Sequence, residues 1–367
     1  VLKKPPVIIK NLVSVTLGQL FSGLLVLASI VVIARYLGTN GFGDYSYIIA
    51  FVNIFQFIAD LGLATIFIRE VSRDKTRLGQ LLGTLKSLYW VFSFFSMMII
   101  IFGIRLTTDH PDAHLAAYPA AIATIALFHM LSYSTVFRAF EEMEINSAGL
   151  VLYRLVFFLL VLLVIKLQMG IIGLMTALAL SGILLWGIFY IIVSKKYIRP
   201  KLSFNLSSWW LMLREALSTG GTIVLRKTLW YLDTFMLKAL ATSAAVGLFN
   251  SVYQIVQVLY LVPWTLGVPF FPIFSRLSKT NPRQLHRMLN SLLKCTWLIT
   301  LPLAIWTTFT TPYIIKAVYG VNFLPAADGL RLIIWTLPFL FPTALFFSFS
   351  RPSEDKGPIL FALRLPS

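Results

Sequence analysis

The sequence predicts an all-α polytopic membrane protein with about ten spanning helices, and three observations predict it. Of its 367 residues 58% are hydrophobic and 12% charged, and the mean hydropathy is +0.83, a balance that suits lipid rather than water as solvent. Apolar runs of roughly 18 to 25 residues recur, each long enough at ~1.5 Å per residue to cross a hydrocarbon core of ~30 Å. Lys and Arg gather in alternate connections between the runs, as they do in the loops of one membrane face.

The runs lie near 11–34, 44–66, 81–104, 115–134, 148–166, 171–193, 217–238, 245–269, 292–311 and 330–349. Lys3, Lys4 and Lys10 precede the first; Arg69, Arg73, Lys75 and Arg77 follow the second; Lys195, Lys196, Arg199, Lys201 and Arg214 follow the sixth. Connections of the opposite set hold one cation each: Arg35, Arg105, Lys166, Lys238 and Lys316. Both termini are therefore expected on the cytoplasmic side. The organisation expected is an N-terminal lobe at 1–193, an interfacial linker at 194–216, a C-terminal lobe at 217–349 and an atypical cytoplasmic tail at 350–367. Within 203–218, Trp209 and Trp210 beside Arg214 suggest a short helix lying in the membrane interface.

The net charge of +17 follows from these loops and is not gathered on one soluble face, which argues against a nucleic-acid partner. A single cysteine, Cys295, forms no internal disulfide. His110 and His114 with Asp109 and Asp112 sit in a proline-interrupted loop without the fixed geometry of a metal site, so no metal is expected. Gly41-Phe42-Gly43 has no following lysine and no strand before it, so ATP is not expected as a cofactor.

The halves resemble each other at a spacing of about 204 residues, an internal-repeat pattern. Leu37-Gly38 and Phe42-Gly43-Asp44-Tyr45 correspond to Leu240-Ala241 and Val246-Gly247-Leu248-Phe249. The polar stripe Asn53, Gln56, Asp60 of the second span corresponds to Asn250, Gln254, Gln257 of the eighth, and Ser72-Arg73 to Ser275-Arg276. An even number of spans separates the copies, so they enter the membrane in the same sense and imply two parallel-repeat helical lobes related by an axis along the membrane normal.

Ionisable residues inside spans usually face protein or a water-filled cavity, since each costs about 2.5–3.5 kcal/mol at the bilayer centre. Arg226, Trp230 and Asp233 fall at i, i+4 and i+7 on one face of the seventh span, with Lys227 adjacent. They are expected to line the cavity, the cations receiving an anionic group while Asp233 balances charge or takes up a coupling proton or sodium ion. Arg154, Asp60, Gln56 and Asn53 are expected to add to that lining, as are Asn250, Gln254 and Gln257.

Several short pieces then resemble the Wzx-type polysaccharide flippases of the multidrug/oligosaccharidyl-lipid/polysaccharide exporter superfamily. They are Ala34-Arg35-Tyr36-Leu37-Gly38 with Phe42-Gly43-Asp44-Tyr45, Ala59-Asp60-Leu61-Gly62-Leu63 leading to Arg69-Glu70, and Pro269-Phe270-Phe271-Pro272 before Ser275-Arg276. Asp233 with Leu237, Val246-Gly247, and Tyr319-Gly320 with Phe323 complete the series. The resemblance implies two six-helix lobes around a central cavity, alternately open to either face, that move an undecaprenyl-pyrophosphate-linked oligosaccharide outward across the bacterial inner membrane, with polysaccharide polymerase machinery as an expected partner. The family has twelve or more spans, so the second lobe is expected to be incomplete. Export of drugs or cations by the same architecture is the alternative. A membrane-bound polymerase or ligase would need a sizeable outer loop with catalytic residues; the outer connections are short, so a transporter rather than an enzyme is expected.

Overall fold

The computed structural model describes residues 5–349, leaving undescribed the side chains of 5–17, 218–219, 222–223, 226–227, 261–262, 264–276, 278–279, 282 and 344–349. The tail expected at 350–367 lies outside the described residues. Helices account for the chain: α1 (Pro5–Asp60), α2 (Leu63–Arg73), α3 (Leu78–Thr107), α4 (Pro111–Ala139), α5 (Met143–Lys166), α6 (Gly170–Lys196), α7 (Leu206–Leu240), α8 (Ser243–Thr280), α9 (Pro282–Val318), α10 (Ala326–Ile333) and α11 (Leu337–Phe349). No strand occurs among the described residues, consistent with lipid's demand that each segment satisfy its own backbone. Six helices are long and apolar enough to cross a membrane over their described residues: α1, α3 with its leading turn, α4, α5, α6 and α9.

The breaks fall where the backbone demands them. α1 carries the first two predicted spans and bends at Gly38, where φ is 67° and ψ −175°. The second span, expected to run to residue 66, stops at Asp60, because Leu61 and Gly62 both take positive φ (44° and 85°); glycine enters this region without the Cβ clash that other residues meet. Asp60, the last residue of α1, reaches across the break, its Oδ1 accepting from the Ala64 amide in the first turn of α2 at 3.1 Å. Residues 203–218 form no separate interfacial helix: α7 is continuous from Leu206, capped by Asn205 accepting from the Ser207 and Ser208 amides. No Gly or Pro falls between Leu206 and Ser218 to stop it. The tenth predicted span is divided into α10, a 3-10 turn at Ile334–Thr336 and α11.

The chain divides into two compact units, Val1–Gly247 and Leu248–Ser367. The division falls inside α8 because α7 packs on α1 and α2. In the first unit α4 is the central helix. Its alanines 113, 116, 117, 120, 121, 123 and 126 are buried, and small side chains let α3 and α6 approach closely. In the second unit α10 and α11 fold back on α9 after the turn at Gly320, whose φ is 95°.

The repeat appears as a reciprocal crossing. A Cβ on Gly43 would stand 1.8 Å from the Ser243 carbonyl oxygen, and one on Gly247 2.1 Å from the Thr39 carbonyl oxygen. Thr39 and Gly43 are related to Ser243 and Gly247 by the same offset of 204 residues, so each copy of the small-x-x-x-small segment packs on the other. The crossing leaves no room for a methyl group. Gly247→Val should therefore destabilise the protein by about 1–3 kcal/mol, seen as a lower thermal midpoint in detergent. Gly187→Ala, whose Cβ would meet nothing within 4 Å, should leave the midpoint unchanged.

Candidate functional site

The second half of α1 and α7 run antiparallel and meet at two levels. At the first, Asp44 (5% exposed) accepts from Lys238 Nζ at 3.0 Å and from Ser243 Oγ at 2.6 Å, both on Oδ1. Lys238, its side chain 10% exposed, also donates to Ser243 Oγ at 2.6 Å and lies 5.6 Å from the centre of the Tyr47 ring. His110 Nε2 lies 3.8 Å from Asp44 Oδ2. Phe235 of α7 packs against Tyr47 and Phe51, with ring centres 5.3 and 4.8 Å away. A carboxylate and an ammonium buried to this degree are tolerated because each neutralises the other and Ser243 bonds to both.

At the second level, a Cβ on Gly220 would stand 1.8 Å from the Leu61 carbonyl oxygen, and one on Gly62 2.8 Å from Gly220 Cα. Beyond that close approach Arg69 donates to Glu215 at 2.5 Å and to Glu70 at 3.0 Å, with Arg77 on the other Glu70 oxygen at 3.2 Å. These ion pairs are partly solvated, so each is worth only ~0–1 kcal/mol. The backbone approach is the firm element and the ion pairs the adjustable one.

From Lys238 to Gly220 α7 spans 18 residues, ~27 Å of rise, and α1 with the break after Asp60 covers the same number from Asp44 to Gly62. Asp44 opposite Lys238 and Gly62 opposite Gly220 fix the register, which puts Asn53 and Gln56 of α1 at the height of residues 226–230 of α7. Phe57 and Tyr231 pack there with ring centres 6.2 Å apart. The structure thus brings two sequence-predicted groups, the polar stripe of the second span and the charged face of the seventh, into one stretch. The side chains of Arg226 and Lys227 lie outside the described residues. Trp230 is half-buried, and Asp233 is exposed and forms no ion pair among the described residues.

The other predicted residues are placed differently. Asp60 accepts from Tyr89 Oη at 2.6 Å as well as capping α2, so its carboxylate is engaged within the first unit. Asn53 donates to the Ile49 carbonyl of its own helix at 2.9 Å, and Gln56 is half-buried on the same helix. The Arg154 guanidinium lies 5.1 Å from the centre of the Tyr153 ring, on α5. Asn250 (buried), Gln254 and Gln257 belong to the second unit. Sequence reasoning used Lys238 only as a topology marker and Asp44 only as part of a repeat. The signal that could have joined them was the mismatch within the repeat: Asp44 has Leu248 as its counterpart. A charge present in one copy alone suggests a partner outside the symmetric frame.

The profile of the family described as "Polysaccharide biosynthesis protein" matches residues 8–278. A Shigella flexneri protein named "Putative O-antigen transporter" is 23% identical over 342 residues, covering 86% of this chain and 78% of that protein. Among solved structures, the lipid II flippase MurJ in an inward closed conformation superposes with a TM-score of 0.74 at 16% identity, over 95% of this chain and 78% of MurJ. An inward-facing multidrug resistance MATE family transporter of the MOP superfamily gives 0.73 at 16% identity, over 89% of this chain and 81% of the transporter. The fold is that of these transporters, and the chain is a multi-pass membrane protein.

Lys238→Met leaves Asp44 buried without its cation and should cost about 3 kcal/mol of stability. Combining it with Asp44→Asn should recover part of that loss. Unfolding of the two single variants and the double variant in detergent measures the coupling; simple additivity would mean the pair is not a unit.

Proposed function

Because the chain belongs to the polysaccharide biosynthesis protein family, we propose that it is an alternating-access flippase for a lipid-linked oligosaccharide, acting in surface polysaccharide biosynthesis. The membrane is the bacterial inner membrane with both termini cytoplasmic, an orientation supported by the cations gathered in alternate loops. The substrate class is an undecaprenyl-pyrophosphate-linked oligosaccharide. The Shigella flexneri relative, named for O-antigen transport, and the family description support that class.

One observation carries the reading: the polar stripe of α1 and the charged face of α7 share one stretch between two closures, at Asp44–Lys238 and at Gly62–Gly220. Opening one closure while the other holds would expose that stretch to one membrane face at a time. A pyrophosphate needs cations at such a level, and Arg226 and Lys227 are the cations assigned to it. Asp233 is the carboxylate assigned to a coupling proton or sodium ion. Arg154, Asn53 and Gln56 are assigned to the lining of the route in the first unit, and Asn250, Gln254 and Gln257 are assigned substrate contact within the second unit. Transport requires no covalent step, so the residues are assigned binding and gating rather than catalysis; polymerase machinery would receive the delivered substrate.

In a strain lacking its own flippase, the full chain should restore surface polysaccharide. Arg226→Ala or Asp233→Ala should reduce it at least tenfold at unchanged protein level; normal export by both variants would remove their assigned roles. The MATE fold neighbours favour drug export as the second reading, and raised drug resistance without polysaccharide export would decide for it.

Gating has its own test. In a Cys295→Ser background, Arg69→Cys with Glu215→Cys should cross-link under oxidant and stop export, and reductant should restore it. Full export by the cross-linked protein would show that the contact between α2 and α7 does not open.

A further inference from the structure

A second charged cluster lies within the first unit, apart from the α1–α7 stretch. Three helices each contribute a pair of residues one turn apart: Lys86 and Trp90 from α3, His129 and Tyr133 from α4, Trp186 and Tyr190 from α6. They stack in two tiers. In one, the His129 ring packs against both Trp90 and Trp186, with centres 4.4 and 4.9 Å away, and the two indoles meet edge-on at 6.4 Å. In the other, Lys86 Nζ donates to Tyr133 Oη at 2.6 Å and faces the Tyr133 and Tyr190 rings at 4.9 and 6.0 Å.

The cluster is electrostatically incomplete. Lys86 is 8% exposed and forms no ion pair among the described residues; Tyr133 is its one hydrogen-bond acceptor there. His129 is fully buried, and neither ring nitrogen has a hydrogen-bond partner among the described residues. A buried ammonium with a single hydroxyl acceptor among the described residues is costly, and aromatic faces compensate for only part of that cost. An anion would complete it.

Position selects the anion's source. Lys86 stands eight residues into α3, ~12 Å from its start, at the end of the bundle that carries the basic loops. A helix of 30 residues exceeds a ~30 Å hydrocarbon core, so Lys86 lies only a few ångströms below the headgroup layer. It begins the ridge that continues at every fourth residue as Trp90, Phe94 and Met98, all exposed and apolar. On the facing side Ile183 and Ile191 are exposed, and Gly187 between them leaves open space.

The segment after α6 closes the basic end of this groove. Ile198 lies over Gly79, the Lys201 carbonyl over Gly83, and the Ser203 amide donates to Ser87 Oγ at 2.9 Å. That segment brings Arg199 and Lys201, exposed and without ion pairs among the described residues.

We propose that the groove between α3 and α6 binds an anionic phospholipid, its phosphate on Lys86 with Arg199 and Lys201 at the rim and its acyl chains along Trp90, Phe94 and Met98. Cations between spanning helices at headgroup depth, above an apolar wall, match such a lipid in both parts.

The full chain, purified in detergent and re-equilibrated with defined mixtures of phosphatidylglycerol and phosphatidylcholine, should retain phosphatidylglycerol preferentially in native mass spectrometry. Lys86→Met should lower that preference about fivefold, and Lys86→Arg should keep it. Arg199→Gln with Lys201→Gln, on an exposed segment that does not endanger folding, should lower it to a similar degree. An unchanged preference in Lys86→Met, or in the linker double variant if Lys86→Met does not fold, overturns the proposal. So does equal retention of the two lipids by the parent chain, or displacement of phosphatidylglycerol from the parent chain by equimolar undecaprenyl phosphate.

Discussion

The reciprocal crossing of Thr39–Gly43 with Ser243–Gly247 is the constraint from which the first unit's functional geometry follows. In lipid, helices gain little from hydrophobic burial against one another, so they associate where small residues let backbones touch. Here the touching segments are repeat-related, and each supplies the glycine against which the other's carbonyl packs. That contact brings Ser243 to Asp44, and Asp44 in turn holds Lys238. α7 is thereby fixed along α1, and its charged face comes to the height of the polar stripe.

Charge inside an apolar bundle is handled in three ways. Asp44 and Lys238 neutralise each other directly. Asp60 uses a helix start and a tyrosine hydroxyl, so its charge is spread over donors that the fold must place anyway. Lys86 has neither a carboxylate nor a helix end beside it among the described residues. It is held by aromatic rings and one hydroxyl, and the demand left over points outward to the bilayer. The same ionisable chemistry thus serves closure, architecture and lipid recognition, according to what surrounds it.

The two closures differ in kind, which suits a conformational cycle. The Asp44 closure is buried and bonded by a serine that belongs to the crossing, so opening it means separating desolvated partners. The Arg69–Glu215 closure stands in partial solvent beside a glycine-to-glycine approach, where water can take over the hydrogen bonds. A transporter whose resting state favours one face needs such an inequality, since equal closures would leave both access states equally populated.

The membrane class, the positions of most spans and the repeat were legible in the sequence, because all three depend on composition and periodicity. Hydrophobic length selects a spanning helix whatever its neighbours are, and an offset of 204 residues survives as long as each copy keeps its small residues. The helical spacing of Arg226, Trp230 and Asp233 in the seventh span is a pattern of the same kind. The sequence did not disclose the break after Asp60, the continuity of α7 through residues 206–218, or the partners of Asp44, Asp60 and Lys86. Those depend on which helices lie side by side: Lys238 is 194 residues from Asp44, and Tyr133 is 47 from Lys86. Local pattern fixes what a helix offers on each face; only packing decides which face meets which, and therefore whether a buried charge is a closure, a cap or a site.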